Sequence, residues 1–150
     1  MSLLAEILPV EHILLDMDVG SKKRVFEQVG FLLENKMGIN RADVFNCLFA
    51  REKLGSTGMG QHVAIPHGCL PGLKSTIGVF VRTKEGISFD APHGLPVRIM
   101  FILLAPECES NDTHLQILSE LAEKLSSQDR VKRLQETTSQ EETLKTLVES

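Results

Sequence analysis

Apolar positions recur along this chain in blocks whose spacing changes from helical to strand-like and back. His12 to Leu15 is short and apolar and predicts a strand after a brief N-terminal turn or helix. From Lys22 to Lys36, Val25, Val29, Leu32 and Lys36 recur at helical spacing beside Phe26 and Leu33, with Ser21 as N-cap and Gly38 as the stop. A second helix is predicted after Asn40, with Asp43 near the positive end of its dipole. It runs to about Lys53 and buries Val44, Phe45, Leu48 and Phe49. The character then changes. Leu54 to Gly72 reads LGSTGMGQHVAIPHGCLPG, in which His62 to Ile65 is the stretch with strand character. Thr76 to Arg82 and Val97 to Leu104 read as strands, with Ile87 to Phe89 as a shorter one and Asp90-Ala-Pro-His-Gly94 as its turn. Val97 to Leu104 is apolar nearly throughout, the mark of a central strand covered on both faces. Thr113 to Leu125 predicts a helix with Leu115, Leu118, Leu121, Ala122 and Leu125 inward. The polar stretch after it, with Val131, Leu134, Leu144 and Leu147, predicts two short helices. This order argues an α/β fold, a mixed β-sheet flanked by helices.

Composition narrows the function. At 150 residues one domain, 1–150, is expected, and a chain of this size buries roughly 68–70% of its unfolded surface without needing disulfides or metal. Sixteen Lys and Arg against twenty Asp and Glu give a formal charge of −4, so no basic excess speaks for nucleic acid. The longest apolar run, Ile99 to Ala105, is strand-sized and far short of the roughly 18 residues of a membrane span. The N-terminus has no cationic start and carries Glu6 and Glu11, unlike a secretory signal. Three cysteines without framework spacing suit a reduced, cytoplasmic protein. The lack of Trp and Tyr argues against a sugar platform or a base-stacking surface.

Candidate chemistry gathers around the Gly-rich loop. Gly55, Gly58 and Gly60 allow close backbone approach, and Ser56 and Thr57 add hydroxyl donors. A turn-rich connection with ordinary hydroxyls accounts for the glycines equally well. No P-loop and no G-x-S-x-G elbow is present. His67 stands between Pro66, which fixes the backbone, and Gly68, which leaves the imidazole uncrowded; this is a histidine presented on a turn. His114 lies in the first turn of a helix whose cap is Asp112 or Asn111. The dipole there favours a neutral ring and attracts phosphate, although a helix-start histidine without a role fits as well. Arg51, seven residues after Val44, falls near the buried stripe just before the loop, where its fork can reach a phosphate or simply lie on the sheet edge. Arg98 on a strand carries the same bland alternative. His62, His67, Cys69, His93 and Cys108 offer zinc-type ligands without metal-site spacing. Cys69 reads as a small buried residue, His12 and His93 as strand and turn residues, and Glu107 and Glu109 flank Cys108 in a solvated loop.

Taken together these residues carry a pattern. R-E-K-L-G-S-T-G-M-G-(x2)-V-A-I-P-H-G, Arg51 to Gly68, resembles the signature of the fructose/mannitol-type enzyme IIA domains of the bacterial phosphotransferase system. T-H-L-(x2)-L, Thr113 to Leu118, matches the second family histidine, and similarity extends from about Leu3 to Val148. The G-S-T-G-M-G loop with the G-V-F-V, I-S-F-D-A and L-L-A-P segments is similar to the nitrogen-regulatory branch. Met59 stands where Ile is common, Gln61-His62 is a variable pair, and Cys69 stands where Lys is common, which removes a nearby cation.

The resemblance implies that His67 is phosphorylated on Nε2, that Arg51 lies at the phosphate site and that His114 supports it, with Ser56, Thr57 and Gly58 as phosphate-loop residues. It implies phospho-HPr, or its nitrogen-branch paralogue, as donor, and no metal, nucleotide or other cofactor. It also implies regulatory target proteins, potassium transport or sensor-kinase proteins among them, bound according to phosphorylation state. The alternative is a transport component relaying phosphate to a fructose- or mannitol-type IIB. A binding module with a dead site is disfavoured because the three matched residues are intact.

Overall fold

The computed structural model describes residues 3–89, 94–106 and 111–149. After a short helix α1 (Leu3–Ile7) and a 3-10 turn (Val10–His12), the elements are β1 (Ile13–Met17), α2 (Lys22–Met37), α3 (Arg41–Leu54), β2 (Gly58–Gly60), β3 (Val63–Ala64) and β4 (His67–Cys69). They continue with β5 (Ile77–Ile87), β6 (Val97–Ala105), α4 (Asn111–Leu125), α5 (Gln128–Glu136) and α6 (Gln140–Val148). The caps explain the helix bounds. Ser21 accepts from Arg24 N and Asn40 from Ala42 N and Asp43 N, while Gly38 closes α2 in the left-handed conformation, φ 68°, that a side chain disfavours.

The sheet is mixed, in the order β1-β5-β6-β3-β2, with β4 also on β6. β5 and β6 are antiparallel, whereas β1 runs parallel to β5 and both β3 and β4 parallel to β6. β6 is central, as its unbroken apolar run predicts. Met100, Ile102 and Leu104 pack with Val25, Phe26, Val29 and Leu33 of α2 and Val44 and Leu48 of α3. Their neighbours Ile99, Phe101 and Leu103 face Ile117, Leu121 and Leu125 of α4, Leu134 of α5 and Leu147 of α6. Roughly 1.5–3 kcal/mol per fully buried side chain on each face is the main drive for this sandwich.

Several expectations change. Ile87 to Phe89 is not a separate strand, because β5 continues to Ile87 across a register irregularity after Arg82. The Gly-rich stretch holds three short strands rather than one. His62 lies outside them in a tight turn, with φ 53° at Gln61 and 67° at His62. His12 sits in the 3-10 turn, buried, with Nδ1 3.0 Å from Gly78 O. Leu115 is 60% exposed, and Ile117 takes the inward place. Phe45 and Phe49 are half-buried and stack on each other, so the stripe of α3 is Val44, Leu48 and Glu52. Lys36 is exposed. The turn residues 90–93 and the Glu107–Cys108–Glu109 loop lie outside the described residues.

Candidate functional site

The site forms where β3 and β4 run as one interrupted line along β6. Val63 pairs with Ile99 and His67 with Leu103, a constant offset, but the ladder breaks at Ile65-Pro66. Pro66, whose carbonyl accepts from Leu103 N, has no N–H to contribute to β6, while Ile65 N on the opposite edge extends the pairing with β2 to Thr57 O at 3.1 Å. His67 is therefore the first residue of a resumed strand, half-buried, and not a residue of an open turn. Gly68 answers a different need from the one its sequence position suggests. A Cβ there would lie 2.5 Å from Cys47 Sγ, so its absence lets α3 pack onto β4.

The His67 ring is held by its own backbone. Nδ1 lies 2.8 Å from Ile65 O. A carbonyl oxygen only accepts, so in the neutral ring Nδ1 carries the proton and Nε2 the lone pair. Leu103, its partner in register, belongs to the cluster under α4, and His114 comes from that side. The two imidazole centroids are 5.8 Å apart with planes inclined at 52°. His114 stands in the first turn of α4; the capping position ahead of Asn111 lies outside the described residues.

Arg51 is in the last turn of α3, half-exposed, and Nη1 donates to Gly55 O at 2.8 Å. It thus overhangs the start of the loop, flanking rather than continuing the buried stripe. The donors of the loop itself are largely engaged. Ser56 Oγ accepts from Gly58 N at 3.1 Å, and Thr57 is buried with both its N–H and its hydroxyl donated to Glu52 Oε1. Thr57 and Gly58 therefore hold the loop in shape, whereas the Ser56 hydroxyl hydrogen is left by these bonds.

Glu52 is absent from the residues to which the sequence pattern points. Its side chain is 2% exposed, with Lys22 Nζ 3.2 Å from Oε2. The signal was available: an acidic residue at the i+8 position of the Val44–Leu48 stripe has to be buried, and a buried carboxylate needs partners.

The remaining candidates scatter. His62 Nδ1 is 2.8 Å from Pro96 O, and Arg98 Nε donates to Thr83 O and Nη1 to Gln135, both at 3.3 Å. Cys69 is exposed, contrary to the expectation of burial. Cys47 Sγ donates to Cys69 O at 3.2 Å, and burial pushes the Cys47 thiol up to about 11. Among the described residues no three His, Cys, Asp or Glu gather as metal ligands, and no helix is long and apolar enough to cross a membrane.

The chain is similar to known proteins over almost its whole length. Residues 6–150 match the family model "Phosphoenolpyruvate-dependent sugar phosphotransferase system, EIIA 2". A nitrogen regulatory protein of Bradyrhizobium diazoefficiens is 40% identical over 131 residues, 87% of this chain and 85% of that protein. The crystal structure of nitrogen regulatory protein IIA-Ntr from Neisseria meningitidis superposes with a TM-score of 0.92 at 54% identity, covering 98% of this chain and 100% of the other. Mannitol IIA from Escherichia coli superposes at 0.76 with 26% identity, covering 93% and 98%.

Proposed function

Since the chain belongs to the EIIA 2 family of the phosphoenolpyruvate-dependent phosphotransferase system, and is thus a component of that system, we propose that it is a cytoplasmic phosphocarrier, a single IIA domain over 1–150, that accepts a phosphoryl group on Nε2 of His67. The observation that carries this reading is the bond from His67 Nδ1 to Ile65 O, which leaves the Nε2 lone pair as the nucleophile beside His114. In the transfer, the donor's N–P bond breaks with its electron pair returning to the donor imidazole, and a new N–P bond forms at Nε2. Such a step asks mainly for alignment and charge stabilisation. Arg51 supplies a fork for the phosphoryl oxygens, and His114 and the Ser56 hydroxyl supply further hydrogen bonds. Thr57 and Gly58 serve by shaping the loop.

The donor is phospho-HPr or its nitrogen-branch paralogue. Exposed Leu54, Met59 and Leu115 accompany Arg51, the loop and His114 in sequence, and apolar side chains left in solvent suit contact with a protein donor. Similarity to nitrogen regulatory proteins supports a nitrogen-linked output by regulated partners that read the phosphorylation state of His67. The likeness to mannitol IIA supports the second reading, relay to a sugar-specific IIB.

Incubation with enzyme I, HPr and phosphoenolpyruvate should give an acid-labile, base-stable phosphorylated species, and His67→Ala should abolish it while the protein stays folded. Label mapped to His62, His114 or Cys69 would overturn the assignment. Rapid transfer onward to a mannitol or fructose IIB would favour the second output.

A further inference from the structure

We propose that Glu52 is a positioning residue for His67, acting through Thr57 and Ile65 to fix which ring nitrogen is free to react; the inference rests on His67 being the accepting residue. The observation is an unbroken line of hydrogen bonds. Glu52 Oε2 is paired with Lys22 at 3.2 Å, and its Oε1 takes the N–H of Thr57 at 3.2 Å and the Thr57 hydroxyl. Thr57 O takes Ile65 N at 3.1 Å, and Ile65 O takes His67 Nδ1 at 2.8 Å.

Each link constrains the next. An ionised, buried carboxylate is the stronger kind of acceptor, and it has few ways to satisfy itself without Thr57. Thr57 is consequently held on both sides of its residue, by its donors to α3 and by its carbonyl to Ile65. That second bond extends the β2–β3 pairing by one step and anchors Ile65 at the place where the β3–β4 line along β6 is interrupted. With Thr57 released, Ile65 loses its anchor at N, the backbone can turn about its Cα, and its carbonyl, in the Ile65–Pro66 peptide, loses its aim at Nδ1. An imidazole without that acceptor prefers its proton on Nε2, where no lone pair then remains to attack phosphorus. Lys22 and Thr57 enclose the anion, and its effect reaches His67 through neutral backbone groups and not as a charge.

Glutamine is the informative replacement. Its amide oxygen can accept from Thr57 as Oε1 does, while the NH2 group cannot accept from Lys22. Glu52→Gln should therefore keep the loop tether and lose the ion pair.

The test uses the full chain with 15N-labelled histidine, unphosphorylated, with imidazoles neutral, and His67→Ala to assign the signal. Long-range 1H–15N correlations should report the Nδ1–H tautomer for His67 in the native protein. Glu52→Ala and Thr57→Val should both move it toward Nε2–H, and Glu52→Gln should restore the native pattern. Single-turnover transfer from phospho-HPr should fall about tenfold or more in Glu52→Ala and recover in Glu52→Gln. Thr57→Val keeps the side-chain shape, so it carries the test if Glu52→Ala does not fold. A native tautomer in every folded variant overturns the proposal, as does a Glu52→Gln protein that behaves like Glu52→Ala. The tautomer is read without any phosphoryl donor. If His67 of the native protein is never phosphorylated, the phosphocarrier reading fails, yet the response of the ring to Glu52 is still measured.

Discussion

Arg82 and Arg51 are the same side chain put to opposite uses. Arg82, on β5, is 5% exposed and all three of its nitrogens are engaged. Nη1 donates to Leu134 O at 3.0 Å, Thr137 O at 2.8 Å and Thr137 Oγ1 at 3.1 Å, while Nε and Nη2 hold the Asp16 carboxylate at 3.1 and 3.2 Å. It ties the end of α5 and the irregular end of β1, where Asp16 adopts φ 56°, to the middle of the sheet. Arg51 is half-exposed, and its hydrogen bond among the described residues is the one from Nη1 to Gly55 O. A guanidinium that is saturated by carbonyls 52 and 55 residues away in the chain builds the fold. One held by a single local bond is aimed but not filled, and keeps donors for a ligand.

The largest effect expected is on the first of these. Arg82→Met should leave the buried Leu134 and Thr137 carbonyls without their donor and cost about 3 kcal/mol, which lowers Tm by about 10 °C. His67 should still be phosphorylated in the folded fraction. Thermal unfolding and phosphorylation of the same sample decide it, and a loss of transfer without a loss of stability would erase the contrast.

Arg51→Ala should reverse the pattern. Transfer from phospho-HPr should slow by about 100-fold. Tm should move by less than about 4 °C. Arg51→Lys should recover only part of the rate because a point charge replaces the fork. Unchanged single-turnover rates would return Arg51 to the role of a loop latch on Gly55.

His114 sharpens the comparison from the other face of the sheet. His114→Ala should slow transfer or hasten hydrolysis of the phosphorylated protein by roughly tenfold, as for one lost hydrogen bond to a charged group. His114→Asn, which keeps a donor, should fall between alanine and the native residue. Quench-flow rates and phosphoprotein half-lives identical to the native protein would make His114 a helix-start residue only.

The smallest effect belongs to the exposed partner of Arg82. The hydrogen bond from Arg82 holds the Asp16 carboxyl below its ordinary value. A lowered folded value means that this group contributes stability above the usual carboxylate range and loses it as the pH falls through the folded value. Asp16 is 61% exposed, so Asp16→Asn should cost less than about 1 kcal/mol at neutral pH. Urea unfolding should show that difference vanish in acid; a difference that persists there would assign the cost to the φ 56° backbone instead.

What the chain determined by itself is what near neighbours settle. The bounds of α2 and α3 follow from Ser21, Gly38 and Asn40, because a cap is a bond to a residue two to five positions away. The two-sided burial of β6 follows from its uninterrupted apolar run, and the block from Arg51 to Gly68, with the Thr113 to Leu118 segment, marked the family and brought His67, Arg51 and His114 forward together. Tertiary structure decided the rest, since those features depend on partners far along the chain. Two- and three-residue strands such as β3 and β4 exist because β6, 36 positions on, supplies their hydrogen bonds, which no local propensity records. Leu115 faces outward and Ile117 inward because the azimuth of α4 is set by the sheet beneath it. Gly68 is required by Cys47 of α3 rather than by the imidazole beside it. Whether a polar group near His67 acts on a ligand or on the fold was likewise not written in its residue type. Thr57 turned to Glu52 and Arg51 stayed half-free because burial leaves a polar atom no choice but to find a partner, and only the packed molecule shows which atoms are buried.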